Sequence, residues 1–338
     1  MSLHRKGKYN SEIKACIHLH NDHSYLYAKE RSTIFADKEK RIMETVHTNS
    51  PKAWILAARP KTLAAAATPV LIGCALATAE GWFQPVPALL CFLFAFTMQI
   101  DANFINDFFD YLKGSDREDR LGPERACAQG WITLNAMKHG IACTTILSAF
   151  WGFLILFYSG LEMIPVGLFC ILFAFLYTAG PYPLAYHGWG DLLVLVFFGI
   201  VPVGCTYYTL CHDWNWNVTI ASIACGLVSD LLLMLNNYRD REQDLISGKR
   251  TLVVRFGAKA GRWMYLMLGI TASLLCLLFL FNGNPWAAIL PQLFLLPHFN
   301  TWHHMVRINK GRELNKVLGE TARNIALFGL LLSVGLIL

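Results

Sequence analysis

Long apolar runs alternate with short polar ones from Trp54 to the end of the chain. Nine runs stand out, at about 62–80, 86–108, 136–158, 162–179, 190–211, 217–237, 262–281, 285–304 and 320–338. Most reach or approach the roughly 20 residues that a helix needs to cross a hydrocarbon core about 30 Å thick. Lipid offers no partner to an unpaired backbone group, and the two-residue alternation of a membrane barrel is absent. The pattern therefore predicts an all-α, polytopic membrane protein with nine transmembrane helices over residues 51–338. Residues 1–50 are polar, mixed in charge and without a sustained period, and are read as a cytoplasmic, largely disordered tail. Cys16, His18, His20 and His23 in that tail are taken as incidental, and Met43, just before the membrane pattern begins, is a candidate start.

Composition agrees with the pattern. Of the 338 residues 55% are hydrophobic and only 15% charged, against about 25% charged in soluble domains. The net charge of +6 sits between apolar runs and forms no continuous stripe, so the expected partner is the lipid bilayer, with no nucleic acid. The ten Cys include no CxxC pair, and those inside apolar runs read as small hydrophobic residues. Lys and Arg set the orientation. They crowd the loops at 109–135, 239–262 and 305–319, while the loops near 81–85, 159–161, 212–216 and 282–284 hold none. That asymmetry predicts a cell inner membrane protein with the tail and the basic loops in the cytoplasm and the C-terminus outside. The loop at 180–190 is nearly uncharged and does not bear on the orientation.

Two acid-rich stretches leave the second and sixth runs on that same side: NDFFDYLKGSD (106–116) and NNYRDREQDLISGKRTL (236–252). Asn103, Asn106, Asp107 and Asp110 fall at i, i+3, i+4 and i+7, which is one helical face. Asn236, Asp240 and Asp244 recur every four residues. The NxxxD spacing appears in both stretches, 130 residues apart, and suggests two halves related by duplication. Oxygen-only ligands suit a hard cation, and Mg²⁺ typically takes one or two carboxylates and completes its shell with water and substrate phosphate. The candidate metal ligands are thus Asn106, Asp107, Asp110, Asn236, Asp240 and Asp244. Lys113, Arg120, Arg125, Lys249 and Arg250 could hold the remaining phosphate oxygens; Asn103 and Asn237 are further candidates for substrate contact. A phosphate-bearing molecule handled among membrane helices would carry an apolar tail, as a prenyl diphosphate does. Metal on the diphosphate would stabilise the charge that builds as the allylic C–O bond breaks, with Asp110 and Asp240 essential to turnover. The apolar bundle would keep water from the allylic cation. A cation-coupled transporter is the competing class, but transporter sites usually lie at broken helices near the bilayer midplane, and these acids lie at helix exits.

The two acidic stretches, together with ARPKTL (58–63), YTAGPYPLAYHGWGDLLVLVFFG (177–199) and LNKVLGETARNIALFGLLLSVGL (314–336), resemble the UbiA superfamily of intramembrane prenyltransferases. Within it they look like the 1,4-dihydroxy-2-naphthoate polyprenyltransferase branch of menaquinone biosynthesis. The resemblance covers about residues 50 to 338. It implies nine helices around a central cavity, Mg²⁺ dependence, a polyprenyl diphosphate donor and a 1,4-dihydroxy-2-naphthoate acceptor. The acceptor carboxylate would leave as CO₂ and the prenyl chain would join that ring carbon; 4-hydroxybenzoate, homogentisate or haem are alternative acceptors. The common superfamily pattern NDxxDxxxD meets Gly114 here, so Asp116, two residues later, is carried over as a metal ligand. The common YxxxK signature is absent, because Tyr177 is followed four residues on by Pro181. Arg59 or Lys61, at the entry of the first helix, would meet the acceptor carboxylate or the diphosphate, unless both are positive-inside anchors. Asp191 would either activate the acceptor hydroxyl or act as a helix N-terminal charge. Tyr177, Tyr182 and Tyr186 would face the reacting cation or form the aromatic belt. His298, His303 and His304 read as interfacial residues.

Overall fold

The computed structural model describes residues 46–114 and 120–338, apart from the side chains of Lys61 and Ala64. The tail and its Cys/His cluster, the candidate start, Asp116 and the side chain of Lys61 therefore lie outside what is described. In chain order the helices are α1 (Pro51–Ala58), α2 (Pro60–Ala79), α3 (Pro85–Leu112), α4 (Leu134–Ser159), α5 (Ile164–Thr178), α6 (Gly190–Leu195) and α7 (Val201–Cys211). They are followed by α8 (Trp216–Ile246), α9 (Leu252–Cys276), α10 (Pro285–Ile289), α11 (Leu295–Ile308) and α12 (Leu314–Ile337). The described residues contain no strand, as the apolar runs predict.

Seven helical passages among the described residues are long and apolar enough to span a membrane. The other two of the nine expected runs are helical as well. The first lies in α2, which runs 20 residues from Pro60 to Ala79. The run from Pro285 to Ile308 is interrupted by a 3₁₀ turn at Leu290–Phe294 that contains Pro291, which cannot donate to the helical ladder.

Helix ends depart from the apolar boundaries in one consistent way. α3 continues to Leu112 and α8 to Ile246, so Asp107, Asp110, Asp240 and Asp244 ride on helix rather than loop. α9 begins at Leu252, capped by the Thr251 hydroxyl on the Val254 N–H at 3.3 Å, and breaks at Gly257 (φ 84°, ψ 168°). The polar, charged residues there hide a helix from any reading based on apolarity. α1 is hidden likewise. It is a short interfacial helix capped by Ser50, with Trp54 lying edge-on against Phe104 at 5.3 Å.

Without a hydrophobic drive between helices in lipid, close packing rests on small residues. α2 packs against α7 and α12. A Cβ at Gly73 would lie 2.7 Å from the Val203 carbonyl, and one at Gly329 2.3 Å from Thr68 Cγ2. Between α6 and α7 the chain makes a π-turn over Val196–Ile200. Pro202 has no N–H to offer the Phe198 carbonyl four residues back, and the Cys225 thiol of α8 donates to that carbonyl instead, at 3.5 Å. Gly199 lets the turn lie directly on α8. Other buried polar groups pin the bundle. Asp101 of α3, fully buried, accepts from the Thr144 and Thr145 hydroxyls of α4 at 2.6 and 2.9 Å.

His298 departs from the interfacial reading. It is fully buried, stacked on Tyr265 and Phe294 at 5.3 and 5.0 Å, with Nε2 3.1 Å from the Leu266 carbonyl. It fits there because Gly269 leaves room for the ring, a Cβ at that position lying 2.3 Å from Nε2. His304 is partly exposed and pairs with Glu320 at 2.9 Å.

The π-turn contact is open to test. A Cβ at Gly199 would meet the Ser222 carbonyl at 2.5 Å and the Gly226 nitrogen at 2.8 Å, both backbone atoms that cannot step aside. Gly199→Ala should therefore lower stability by about 1–3 kcal/mol, measured by thermal unfolding in detergent. Gly167→Ala, where a Cβ meets nothing within 4 Å, is the control and should be neutral or better.

Candidate active site

The acidic ends of α3 and α8 lie at the same end of the bundle, beside a cavity of about 530 Å³. Apolar side chains from α2 to α8 form most of its wall. Its polar end is marked by Arg59, Gln99, Asn103, Asn106, Tyr177 and Asn236. Helical spacing explains the placement: residues three and four apart share a face, so Asn103 and Asn106 reach the cavity and Asp110 stands one turn further out, at its mouth. Asn236, Asp240 and Asp244 repeat this on α8. The side chains of Asp110 and Asp240 both act electrostatically on Asp244, as do Lys249 and Arg120. The two stretches thus converge, as their spacing suggested.

Each site side chain has a defined partner. The Asn106 carbonyl accepts from the Thr178 hydroxyl at 3.0 Å. Asp110, largely buried, pairs with Arg125 at 3.4 Å and accepts from the Tyr186 hydroxyl at 3.3 Å. Asp240 is gripped by Arg239, which donates Nε and Nη2 to its two oxygens at 2.7 and 2.6 Å. Asp244 faces Lys249 at 3.8 Å. Lys113 donates to the Thr178 carbonyl. The ammonium groups of Lys113 and Lys249 lie 4.9 and 4.8 Å from the centre of the Tyr186 ring, whose negative face lowers the cost of bringing two cations together. Burial pulls the Lys113 ammonium below the ordinary lysine value; Asp110 draws it back up, and Lys249 pushes it further down.

Two of the residues read as site candidates do structural work. Asp107, read as a metal ligand, is fully buried and accepts the Ala126 and Cys127 N–H groups at 2.9 and 3.2 Å. It turns away from the cavity and pins the 120–133 loop to α3, so its oxygens are already committed. Asn103, read as a substrate contact, donates to the Ala58 carbonyl at 3.0 Å and to Thr62 at 3.1 Å, and accepts from Arg59 at 3.5 Å. It lines the cavity while fixing the α1–α2 junction. There Arg59 adopts a left-handed conformation (φ 53°, ψ 69°), costly for a side-chain-bearing residue and held by these bonds.

The remaining candidates divide. Tyr177 lines the cavity; Asn237 and Asp191 do not. Arg120 donates to the Pro123 carbonyl at 3.0 Å, and its own carbonyl accepts from Arg312, which holds it over the mouth. Tyr182 stacks on His187 at 3.5 Å, outside the cavity lining. Sequence reasoning missed Arg239, which is almost completely buried and ties Asp240 to Asn315 at 2.8 Å. Gly122 makes this possible, since a Cβ there would lie 2.6 Å from Arg239 Nη2. It also passed over Thr178. The signal for Arg239 was its place beside Asp240, which a count of helical spacing discards.

The donor set fits a hard divalent cation. Asn106, Asp110, Asn236, Asp240 and Asp244 supply only oxygen, and carboxylates from both helices share one electrostatic neighbourhood. Among the described residues no three His, Cys or acidic side chains converge into a closed metal cage. An open arrangement suits Mg²⁺, which keeps waters and takes substrate phosphate oxygens.

An all-helical membrane bundle with an apolar cavity under an acidic and basic mouth is built to hold a lipid with an anionic head. The chain belongs to the UbiA prenyltransferase family, whose pattern matches residues 66–328. It is 35% identical over 300 residues to the 1,4-dihydroxy-2-naphthoate octaprenyltransferase of Haemophilus influenzae, covering 85% of this chain and 96% of that one. It is 37% identical over 259 residues to the Escherichia coli protein of the same name, covering 72% and 81%. Its fold is similar to that of a UbiA homologue from Archaeoglobus fulgidus bound to GPP and Mg²⁺, with TM-score 0.63 and 14% identity over 84% of this chain and 99% of that one.

The role given to Asp107 separates it from its neighbours on the same face. Asp107→Ala strands two buried amides at about 1–3 kcal/mol each, so it should lower the unfolding temperature clearly more than Asp110→Ala does. Equal melting temperatures for the two variants would return Asp107 to the ligand set.

Proposed function

We propose that the protein transfers a polyprenyl chain from polyprenyl diphosphate to 1,4-dihydroxy-2-naphthoate, with loss of CO₂ and diphosphate, giving demethylmenaquinol. The observation that carries the reading is the meeting of two oxygen-only acidic faces, flanked by Lys113, Arg120, Arg125 and Lys249, at the mouth of one apolar cavity. Only a ligand with a strongly anionic head and an apolar tail satisfies both ends. The names of the Haemophilus and Escherichia relatives favour a naphthoate acceptor over other aromatic acids.

In this mechanism Asn106, Asp110, Asn236, Asp240 and Asp244 would hold Mg²⁺, and that ion would supply charge neutralisation at the diphosphate. Asp116 is a further ligand carried over from the family pattern. Lys113 and Lys249 take the phosphate oxygens left over, aligned by the Tyr186 ring between them. Arg120 adds its guanidinium from the loop above. Arg125 and Arg239 orient the carboxylates of Asp110 and Asp240. Arg59 meets the acceptor carboxylate, with Lys61 on the next turn as the second candidate. Asn237, beside Asn236, contributes at the outer rim of the head-group site. The apolar wall excludes water from the allylic cation. Lys and Arg gather at the end of the bundle that carries the site, which supports a cytoplasmic position for that end and an inner-membrane location for the protein.

Purified protein incubated with polyprenyl diphosphate and dihydroxynaphthoate should yield a prenylated, decarboxylated quinol by mass spectrometry. Product from hydroxybenzoate or homogentisate alone would reject the acceptor assignment. Asp110→Asn and Asp240→Asn should each lower turnover on the order of a hundredfold while the melting profile stays intact. Chelation should stop turnover and added Mg²⁺ restore it.

The lowered Lys113 value has a sign. As pH rises, Lys113 loses its charge sooner than an ordinary lysine, so the KM for the diphosphate donor should climb on the alkaline side. Lys113→Arg, which stays charged, should flatten that climb in a KM–pH profile.

A further inference from the structure

Two carboxyl groups lie behind the cavity wall, away from the acidic face. Asp191 opens α6, and Asp230 lies on α8 six residues before Asn236. The two helices are antiparallel, and their close contacts fix the register. A Cβ at Gly190 would meet Leu233 at 3.0 Å, one at Gly226 the Leu195 carbonyl at 2.8 Å, and one at Gly199 the Ser222 carbonyl at 2.5 Å. That register sets residue 191 opposite residue 230. Each carboxyl has a fully buried oxygen, Oδ1 in both, with no hydrogen-bond partner, and the two groups act on each other electrostatically. The hydroxyls of Ser222 and Ser229 on α8 are likewise buried without a partner. Such unsatisfied groups are rare in a native interior and call for an explanation.

Two carboxyl groups facing each other in a low-dielectric wall do not both ionise. Tyr177 of α5 stands between this pair and the cavity. Its side chain lines the cavity, and its hydroxyl lies 3.4 Å from the position of a Cβ on Gly190. Asp191 and Asp230 both act on it, as do Asp110 and Asp244 from the mouth. Facing the pair from the surrounding elements, then, is one phenol, which the two carboxylates of the head-group site act on from its other side. Neither Asp191 nor Asp230 lines the cavity, so any exchange with a bound molecule passes through Tyr177.

We infer that Asp191 and Asp230 form a proton-holding pair that receives the acceptor's hydroxyl proton through Tyr177 and returns it before the product leaves. The inference rests on the prenyl transfer proposed above. The bookkeeping of the step closes. As the ring carbon bearing the carboxylate donates an electron pair to the allylic carbon, the C–O bond breaks and its electrons leave with the diphosphate. The adjacent hydroxyl becomes a carbonyl, and its proton moves to Tyr177 while the Tyr177 proton passes to the pair, directly or through one water. The ring then holds a carboxylate β to a carbonyl. Its C–C bond electrons return to the ring as CO₂ departs, and the carbonyl oxygen takes the proton back. No net proton is consumed, so a buried pair with no route to bulk water suffices. Asp230 and Asp191 are positioning residues for this proton, and Tyr177 is the group that touches the acceptor.

The test compares wild type, Tyr177→Phe, Asp230→Asn and Asp230→Glu in detergent, with saturating polyprenyl diphosphate and dihydroxynaphthoate, in H₂O and in D₂O. The wild type should show a solvent isotope effect on kcat. Tyr177→Phe and Asp230→Asn should each lower kcat roughly tenfold or more, leave the donor KM within about twofold, and abolish the isotope effect. Asp230→Glu, which keeps a carboxyl, should recover most of kcat and the isotope effect. Tyr177→Phe preserves the ring and the fold, so its result stands even if an Asp230 variant is unstable. Wild-type kcat and isotope effect in Tyr177→Phe would overturn the inference, as would losses that appear in the donor KM and are not recovered by Asp230→Glu. Failure of the wild type to prenylate any aromatic acceptor would instead overturn the functional reading, and this inference with it.

Discussion

Charge held at the rim of a low-dielectric cavity is the constraint from which the rest of the structure follows. Carboxylates at such a place repel one another and are expensive to desolvate, so each must have a partner or a ligand. Arg125 and Tyr186 serve Asp110, Arg239 serves Asp240, and Lys249 serves Asp244. These partners come from loops and helix ends on both halves of the chain. A site assembled in this way ties the halves together at one end of the bundle.

The same constraint explains why the loops at that end are so thoroughly bonded. Asn315 donates to the Leu121 carbonyl at 2.8 Å and accepts from Arg239, and Arg312 reaches the Arg120 carbonyl. The link before α12 thus clamps the loop after α3. Tyr238, Arg262 and Asn309 form a second clamp, with bonds of 2.6 to 2.8 Å. Several of the basic residues that mark orientation in the sequence are therefore scaffold. Arg241 bonds backbone carbonyls of Tyr238 and Asn309, and Arg255 the carbonyl of His187. Charge count alone overstates the number of cations free to meet a phosphate.

Below the rim the problem is reversed, since polar groups in the membrane-spanning wall have no solvent to turn to. Asp101 solves it with two threonine hydroxyls, and the Phe198 carbonyl, deprived of its partner by Pro202, solves it with a cysteine thiol. Asp191 and Asp230 each leave one buried oxygen without a partner. That contrast, within one bundle, sets the pair apart from the structural polar groups.

The all-α membrane class, the emergence of the two acidic stretches at one end of the bundle, and the helical faces that carry Asn106/Asp110 and Asn236/Asp240 were determined by sequence alone. Apolar length and helical period are local properties, and lipid leaves the backbone no alternative to the helix. Only the tertiary structure decided how far the helices run past the apolar boundary, since charged residues there continue a helix that hydropathy no longer marks. It also decided which side chain on an acidic face is already engaged. Asp107 and Asp110 are both periodic, yet one points to the amides of a distant loop and the other to the mouth. The partners Arg239, Tyr186 and Thr178, and the meeting of Asp191 with Asp230, join residues tens of positions apart or sit off the counted face. Spacing along one helix carries no record of what another helix places against it, which is why these contacts stayed invisible until the chain was folded.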